Sequence, residues 1–561
     1  MSYFFLNTTK DLVPETIDGY LRYSQTPVAR LDVGSPDINV IVRPDWTKEK
    51  ADKQVAIISG GGSGHEPMHA GFVGEGMLTA AICGGLFASP SYEAVLSTIL
   101  HVAGKAGVFV IVKAYTGDCL IFGLAVEKAK SLGIKVDMII FSDDISIPDH
   151  PRPRGLAGTI LMHKICGYYS QQRKSLEDIK KVADLVMSSI STIGLSITSC
   201  RTPTSTSENR IQPGHAELGL GIHGEAGIEI IDTQNVDKIV DMMVQKLKNF
   251  RKGPIAILLN NLGGVSELEM GIICSTLLKR EDIEPRLLIG PASLCTSLDM
   301  KGFSVTFLEL KANFETALKA QVITHAWRQP VDIHPPLSIR ARNQIGKKTY
   351  SSSKNEKIEK IVKIICDVLI SSEQKLNELD QFTGDGDTGL TFAAGARSIL
   401  DHLQKNDLPL NDLPSLFECI ADILDISMGG SSGALLSILL LQTSAALRAI
   451  SSSAGEGENN GEICSGLSGA LEMGVKKMME LGGAKIGSRT MVDALLPAAQ
   501  ALSSGVAAAA EAAEKGAEST KDMEKALAGR STYLSSESLK GHADAGACAV
   551  AIVFRALADT L

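Results

Sequence analysis

Short apolar, β-branched runs recur along the first part of this chain and then stop. Val55–Ser59, Val108–Val112, Val136–Phe141, Ile255–Leu259, Arg286–Ile289 and Val305–Leu310 each have the length and composition of a buried strand. Helical patterns lie between them, so the first part predicts an α/β architecture with largely parallel sheets. Between about 329 and 356 the character changes. Gln329-Pro330, Pro335-Pro336 and Ser351-Ser352-Ser353-Lys354-Asn355 read as a linker. Beyond it the chain is rich in Leu and Ala, with helical periodicity and glycine punctuation, which predicts an all-α domain. The 561 residues therefore divide into a unit over 1–335, a linker over 336–356 and a helical unit over 357–561.

Three polar segments follow strands, where ligands of open α/β sheets sit. Val55–Ser59 runs straight into Gly60-Gly61-Gly62-Ser63-Gly64-His65-Glu66-Pro67. This loop lacks the third glycine of the dinucleotide fingerprint and the Gly-Lys-Ser/Thr of a Walker A loop. It can bring backbone N–H groups to something small and polar, or serve as a tight structural turn. Lys113-Ala114-Tyr115-Thr116-Gly117-Asp118 and Asn260-Asn261-Leu262-Gly263-Gly264 are the other two. Further on, His223 stands among Gly219, Gly221, Gly224 and Gly227. It is either a satisfied structural histidine or an imidazole stripped of bulky neighbours, open to a ligand as base or nucleophile.

In the second part, Asp380-Gln381-Phe382-Thr383-Gly384-Asp385-Gly386-Asp387-Thr388-Gly389 follows a helical run. Its glycines allow a tight fold in which Asp380, Asp385 and Asp387 converge. Converging carboxylates suit Mg²⁺ on nucleotide phosphates. A solvated acidic turn and a Ca²⁺ loop are the alternatives, although EF-hand spacing is not met. Four more glycine-rich segments, Met428–Gly433, Gly482–Met491, Gly529–Leu534 and Gly541–Ala547, exceed what helix connections need and suggest a rim around one ligand. Ser431 and Ser432 at a helix start are either caps or donors to phosphate. An Ala-rich helix is expected to run through about Ala528.

The net charge of -9 argues against nucleic-acid binding. The 10 cysteines form no Cys-x-x-Cys pair, as in a reduced intracellular protein. The first residues lack the basic and apolar regions of a signal peptide. Leu435–Leu441, the most apolar segment, reads as a buried helix rather than a membrane span. A cytoplasmic location is expected, with neither membrane nor nucleic acid as partner.

In order along almost the whole chain, these motifs resemble those of the single-chain, ATP-dependent dihydroxyacetone kinases (glycerone kinases, triokinases). The carrying stretches are Ser59–Pro67, Lys113–Asp118, Gly155–Thr159, Gly221–Glu225, Asn260–Gly264, Gly384–Gly389, Met428–Gly433, Arg489–Met491 and Gly541–Gly546. The resemblance implies a substrate domain of two α/β subdomains and a helical barrel that binds ATP. It implies phosphorylation of dihydroxyacetone, and of glyceraldehyde, with the ketone held as a covalent hemiaminal on His223. It implies substrate contacts at Gly62, Ser63, Gly64, His65, Lys113 and Asp118, with Asp118 as base and His65 assisting adduct formation. Asp380, Asp385 and Asp387 match the carboxylates that hold two Mg²⁺ ions. Thr388, Gly389, Leu390, Thr391, Ser431, Ser432, Gly482, Arg530, Asp544, Ala545 and Gly546 lie where the family contacts nucleotide. A homodimer is the common state of the family.

Some positions depart from the family's pattern. Ala114 stands where Asn is usual, Ala545 where Pro is, Ser488 where Asp is, and Ile121 where a polar residue is common. They put the preferred sugar in question, with longer ketoses such as erythrulose as candidates. Two further functions stay open: cleavage of FAD to a cyclic flavin phosphate in the same nucleotide domain, and a non-enzymatic ketone sensor. Phosphocarrier-dependent relatives are split chains, so one continuous chain favours exchanging ATP.

Overall fold

The computed structural model describes residues 4–35, 38–147, 153–204, 209–233, 235–248, 253–341, 348–382, 384–453 and 460–561, with backbone alone at 451–453, 460–465, 530 and 538. They form two compact units, Met1–Ser338 and Ile339–Leu561.

The first unit holds two sheets. One has the strand order Ala29–Arg30, Asn39–Val42, Ala80–Leu86, Ala56–Ser63, Val108–Lys113, Val136–Phe141. Its last four strands run parallel and the first two antiparallel. Val108–Lys113 is buried along its whole length, because helices cover both faces of such a sheet and leave no polar side. The two central strands, Ala56–Ser63 and Val108–Lys113, end at the glycine loop and at Lys113, which places both motifs on one edge.

The second sheet has the order Val331–Asp332, Pro285–Ala292, Ile255–Asn261, Gly302–Glu309, Ile190–Ser196, His215–Leu218, Glu229–Asp232. Among the described residues, all its pairs are antiparallel except Ile255–Asn261 with Pro285–Ala292. The expected parallel character thus holds for four strands of the first sheet and for one pair of the second. A continuous apolar run marks a strand covered on both faces, and it carries no information about strand direction. Ala80–Leu86 and Ile190–Ser196 escaped notice for another reason: small and hydroxyl residues interrupt their apolar pattern.

Helix Thr159–Gln171 is buried almost all round, and its apolar side chains share one core with residues of both sheets, among them Ile57, Phe109, Leu258 and Leu287. It carries Lys164 into that core. The ammonium reaches the Ala317 carbonyl and lies 6.0 Å from the Tyr168 ring centre and 5.8 Å from that of Trp327. Burial lowers its pKa from the ordinary 10.5 to about 8. Between these two values the unfolded chain binds more protons than the folded one, so stability rises with pH across that window and is flat below it. Lys164→Met should remove that rise, as read by urea midpoints of wild type and variant at successive pH values.

The second unit is helical. Glu356–Ser371, Thr388–Gln404, Leu413–Ser427, Gly430–Ser453, Asn460–Gly482, Val492–Ala501, Val506–Ser519 and Ala545–Thr560 each pack on the next, and the last packs on the first, which closes a ring. Asn355 caps the first helix through the Ile358 N–H. The segment expected as linker is partly built into this unit: Tyr350 donates to Asp422 at 2.7 Å, and Ser353 Oγ accepts from the Asn411 N–H at 2.8 Å. Residues 342–347 of that segment, and residues 454–459, lie outside the described residues.

Two helical expectations need correction. The Ala-rich helix is broken: it stops at Ala501 and restarts at Val506, with Gly505 between them at φ 111°, a conformation that favours glycine, and it ends at Ser519, short of Ala528. Leu435–Leu441 is only partly covered. Leu439 is buried, Leu441 is 46% exposed, and 33% of the window Gly430–Ile450 is buried. By length and composition that helix is the one described element apolar enough to cross a membrane, yet it packs between two neighbours of the ring.

Candidate functional site

The glycine loop brings its backbone close to charged side chains. A side chain at Gly61 would lie 3.1 Å from Asp118 Oδ2 and 3.7 Å from Lys113 Cε. Gly64 has φ 104°, and a Cβ there would meet the Phe87 ring at 2.5 Å. Both conditions require glycine. Ser63 donates to the Gly84 carbonyl at 2.8 Å, and Gly62 is half-buried in the same strand end. Lys113 and Asp118 are buried, and Asp118 Oδ1 accepts from Ser89 Oγ at 2.5 Å.

His65 and His223, 158 residues apart in sequence, face each other with Nε2 to Nε2 at 3.0 Å. The other nitrogens fix their protons. Nδ1 of His65 is 2.9 Å from the Thr296 carbonyl, and Nδ1 of His223 is 3.0 Å from Glu225 Oε1. Both partners only accept, so both Nδ1 atoms carry hydrogen and both lone pairs sit at Nε2. Burial first, then the charges of Lys113 and His223, push His65 well below the ordinary imidazole range. Burial pushes Glu225 up, but the hydrogen bond and charge of His223 and nearby backbone N–H groups outweigh it and hold the carboxyl at about 2. Tyr115 and Phe87 flank the His223 ring edge-on, at 4.6 and 5.4 Å between centres.

The loop carrying His223 is anchored from behind. Arg154 donates to Asp144 Oδ2 at 2.7 Å and to the Gly219 carbonyl at 2.7 Å. Asp144 is buried. Arg154→Met should destabilise this unit by about 3–5 kcal/mol in urea unfolding, because it leaves a carboxylate without its cation in the interior.

In the helical unit the acidic segment folds as a tight turn before helix Thr388–Gln404. Oxygens of Asp380, Asp385 and Asp387 lie within 4.8 Å of one another. Oδ2 of Asp380 accepts from the N–H groups of Gly386, Asp387 and Thr388 at 3.0, 3.1 and 3.2 Å. Hard, anionic oxygens in a compact cluster fit Mg²⁺. Gly389 passes so close to the Glu373 carbonyl that a side chain would not fit.

Contacts bring the helix starts at Thr388, Gly430, Val492 and Ala545 to one end: Asp544 is acted on by the charges of Asp493 and Asp380, the Phe382 ring stacks on that of His542 at 4.2 Å between centres, and a side chain at Gly482 would lie 3.1 Å from Leu435. Unpaired N–H groups there attract anions. Thr388, Gly389, Leu390 and Thr391 form the first turn of one such helix, and Ser431 and Ser432 that of another, with Ser431 exposed. Asp544 caps the last helix through the Ala547 N–H at 2.7 Å, followed by Ala545 and Gly546. Gly482 ends a helix arriving at the same end. The side chain of Arg530 lies outside the described residues, although its backbone starts a 3₁₀ turn.

The departures have local explanations. Ile121 packs half-buried against the apolar core beneath its helix. Ala114 is buried at a strand end, its N–H bonded to the Phe141 carbonyl at 2.9 Å. Buried Ser488 accepts from the Lys485 N–H at 2.9 Å, while Asp493 accepts from the Gly487 and Thr490 N–H groups. Sequence reading gave no role to Glu225, Ser89, Tyr115, Phe87 or the Thr296 carbonyl. Only Glu225 and Tyr115 stood inside quoted motifs, and spacing alone signals no contact to a distant ring.

Residues 29–326 match the Dak1 domain family and residues 382–559 the DAK2 domain family. The chain is 46% identical to a dihydroxyacetone kinase of Citrobacter freundii over the full length of both. It is 36% identical to a triokinase/FMN cyclase of Rattus norvegicus, covering 93% of each. The crystal structure of the C. freundii dihydroxyacetone kinase with AMP-PNP and Mg²⁺ superposes with a TM-score of 0.70 at 44% identity, covering all of both chains. An α/β unit joined to a helical unit of this kind defines a two-unit kinase. The chain belongs to the family of single-chain, ATP-dependent dihydroxyacetone kinases.

Proposed function

We propose that the chain transfers the γ-phosphate of ATP to dihydroxyacetone, and to glyceraldehyde, while His223 holds the carbonyl carbon as a hemiaminal. The observation that carries this reading is the His65–His223 pair: an Nε2 lone pair on a histidine set among glycines, in the same unit as buried Lys113 and Asp118. An imidazole in that state is a nucleophile for a ketone or aldehyde. Glycerol offers no carbonyl and escapes capture. Asp118 takes the proton of the terminal hydroxyl that becomes the phosphate ester, a contribution of about 10²–10⁴-fold. Gly62, Ser63, Gly64 and His65 line the substrate, and Lys113 supplies positive charge beside it.

The C. freundii relative's complex with AMP-PNP and Mg²⁺ supports ATP and Mg²⁺ as ligands of this chain, and the carboxylate cluster supports assigning them to the helical unit. Asp380, Asp385 and Asp387 hold the metal, which neutralises charge on the phosphates during transfer. The first turns at Thr388–Thr391, Ser431–Ser432 and Asp544–Gly546, together with Gly482 and Arg530, bind nucleotide. The nine described cysteines form no disulfide, which supports a reducing, cytoplasmic setting. The state expected in solution is a homodimer. An ADP-release assay with dihydroxyacetone, glyceraldehyde, erythrulose and glycerol tests the reading. Turnover with the first two and none with glycerol is expected, and equal turnover with glycerol would exclude carbonyl capture.

The relatives named triokinase/FMN cyclase favour a second activity, formation of cyclic flavin phosphate from FAD in the helical unit. It needs no carbonyl capture, so His223→Ala should leave it intact while the kinase is lost.

A further inference from the structure

We propose that Glu225 is the positioning residue that makes Nε2 of His223 the capturing atom and balances the charge of the adduct. The inference rests on the hemiaminal reading given above. One carboxylate holds one residue twice: Oε2 accepts from the His223 backbone N–H and Oε1 from the ring Nδ1–H, both at 3.0 Å. The turn that sets this clamp closes through Gly221 N–H to the Glu225 carbonyl and Gly224 N–H to the Gly221 carbonyl, both at 3.0 Å. Gly221 is where the carboxylate needs room. A Cβ there would collide with Glu225 and approach Arg154 Nη1 to 2.6 Å. With backbone and ring held together, the ring cannot turn without breaking a charge-assisted bond.

Proton counting then gives the clamp a chemical role. With hydrogen on both Nδ1 atoms, the pair is neutral and its two Nε2 lone pairs lie 3.0 Å apart. When a ketone enters, the His223 lone pair forms the N–C bond to the carbonyl carbon, the C=O π pair moves onto oxygen, and that oxygen takes a proton from water, leaving hydroxide to the solvent. The His223 ring then bears carbon at Nε2 and hydrogen at Nδ1, so it is a cation, and capture gives the pair one positive charge. Glu225 stands opposite this new charge. The other groups facing the two rings are Tyr115, Phe87 and the Lys113 ammonium, with Arg154 beside the carboxylate. Among them Glu225 is the one anion aimed at the ring.

Capture of [2-¹³C]dihydroxyacetone by the full chain, without ATP, reads this directly. In ¹³C NMR the carbonyl signal of wild type should give way to that of a tetrahedral carbon. Glu225→Gln keeps the shape and removes the charge. It should raise the ketone concentration for half-capture about 10- to 100-fold, the worth of a charge-assisted hydrogen bond. It should also shift the pH profile of capture and lower the Nδ1–H population of His223 in ¹⁵N NMR. Glu225→Asp, which retains the anion, should restore part of the affinity. Capture by Glu225→Gln with wild-type affinity and pH profile would overturn the proposal, as would a Glu225→Asp no better than Glu225→Gln. If wild type itself forms no tetrahedral carbon, the hemiaminal reading falls and takes this inference with it.

Discussion

His223→Ala is expected to lower kcat/KM for dihydroxyacetone by at least about 10³-fold, because on the proposed capture mechanism it removes the atom that fixes the substrate before transfer. The substrate is a small molecule with few groups to grip. On that mechanism a covalent bond converts its loose binding into a single orientation, and loss of the bond returns the ketone to free rotation in the site. The fold should survive. His223 lies in a surface turn with its side chain 23% exposed, and Arg154 anchors that turn at the Gly219 carbonyl. Unfolding free energy should change by no more than about 1 kcal/mol. ATP affinity, a property of the other unit, should be unchanged in calorimetry. A variant that keeps wild-type kcat/KM would show that the histidine is structural.

Asp385→Asn and Asp380→Asn are expected to abolish most turnover for one reason and to differ in stability for another. Either change takes one carboxylate from the proposed metal cluster, and on that assignment a fall in kcat of about 10²–10⁴-fold follows from weaker charge neutralisation at the transferred phosphate. Asp385 is exposed, and three carboxylates this close repel each other when no cation is present. The metal-free protein should therefore lose less stability with asparagine at 385 than at 380. Asp380 is buried, and its Oδ2 gathers three backbone N–H groups of the turn. An amide in its place accepts those bonds more weakly, and the helical unit should lose about 1–3 kcal/mol. Thermal melts with and without Mg²⁺ separate the two: the Mg²⁺-dependent rise in Tm should shrink in both variants, and without metal Asp380→Asn should melt lower than Asp385→Asn.

The sequence showed elements and motifs more readily than partners. Val136–Phe141 reads as a strand at its observed limits, since Val136, Ile139, Ile140 and Phe141 favour a sheet and outweigh Asp137. Ile190–Ser196 was missed because serines, threonine and glycine break its apolar run, yet it is buried throughout. In the site, glycine-rich surroundings singled out His65 and His223 individually. That they meet depends on packing between residues 158 apart, and that Thr296 orients His65 depends on a contact over 231. No local pattern encodes such distances. The glycine-rich segments at the helix starts were visible in the sequence, but their meeting at one end depends on contacts across long connections, such as Asp544 with Asp493 and Asp380. The helices' closure into a ring depends on the last helix meeting the first, which no local pattern shows.

The most direct test of the central claim is the intact mass of the native wild-type chain in dihydroxyacetone and, separately, in glycerol, with His223→Ala alongside. Covalent capture predicts one added ketone per wild-type chain, none from glycerol, and none on the variant. A ketone that adds equally to His223→Ala, or a wild type that phosphorylates dihydroxyacetone without carrying it, would contradict the account.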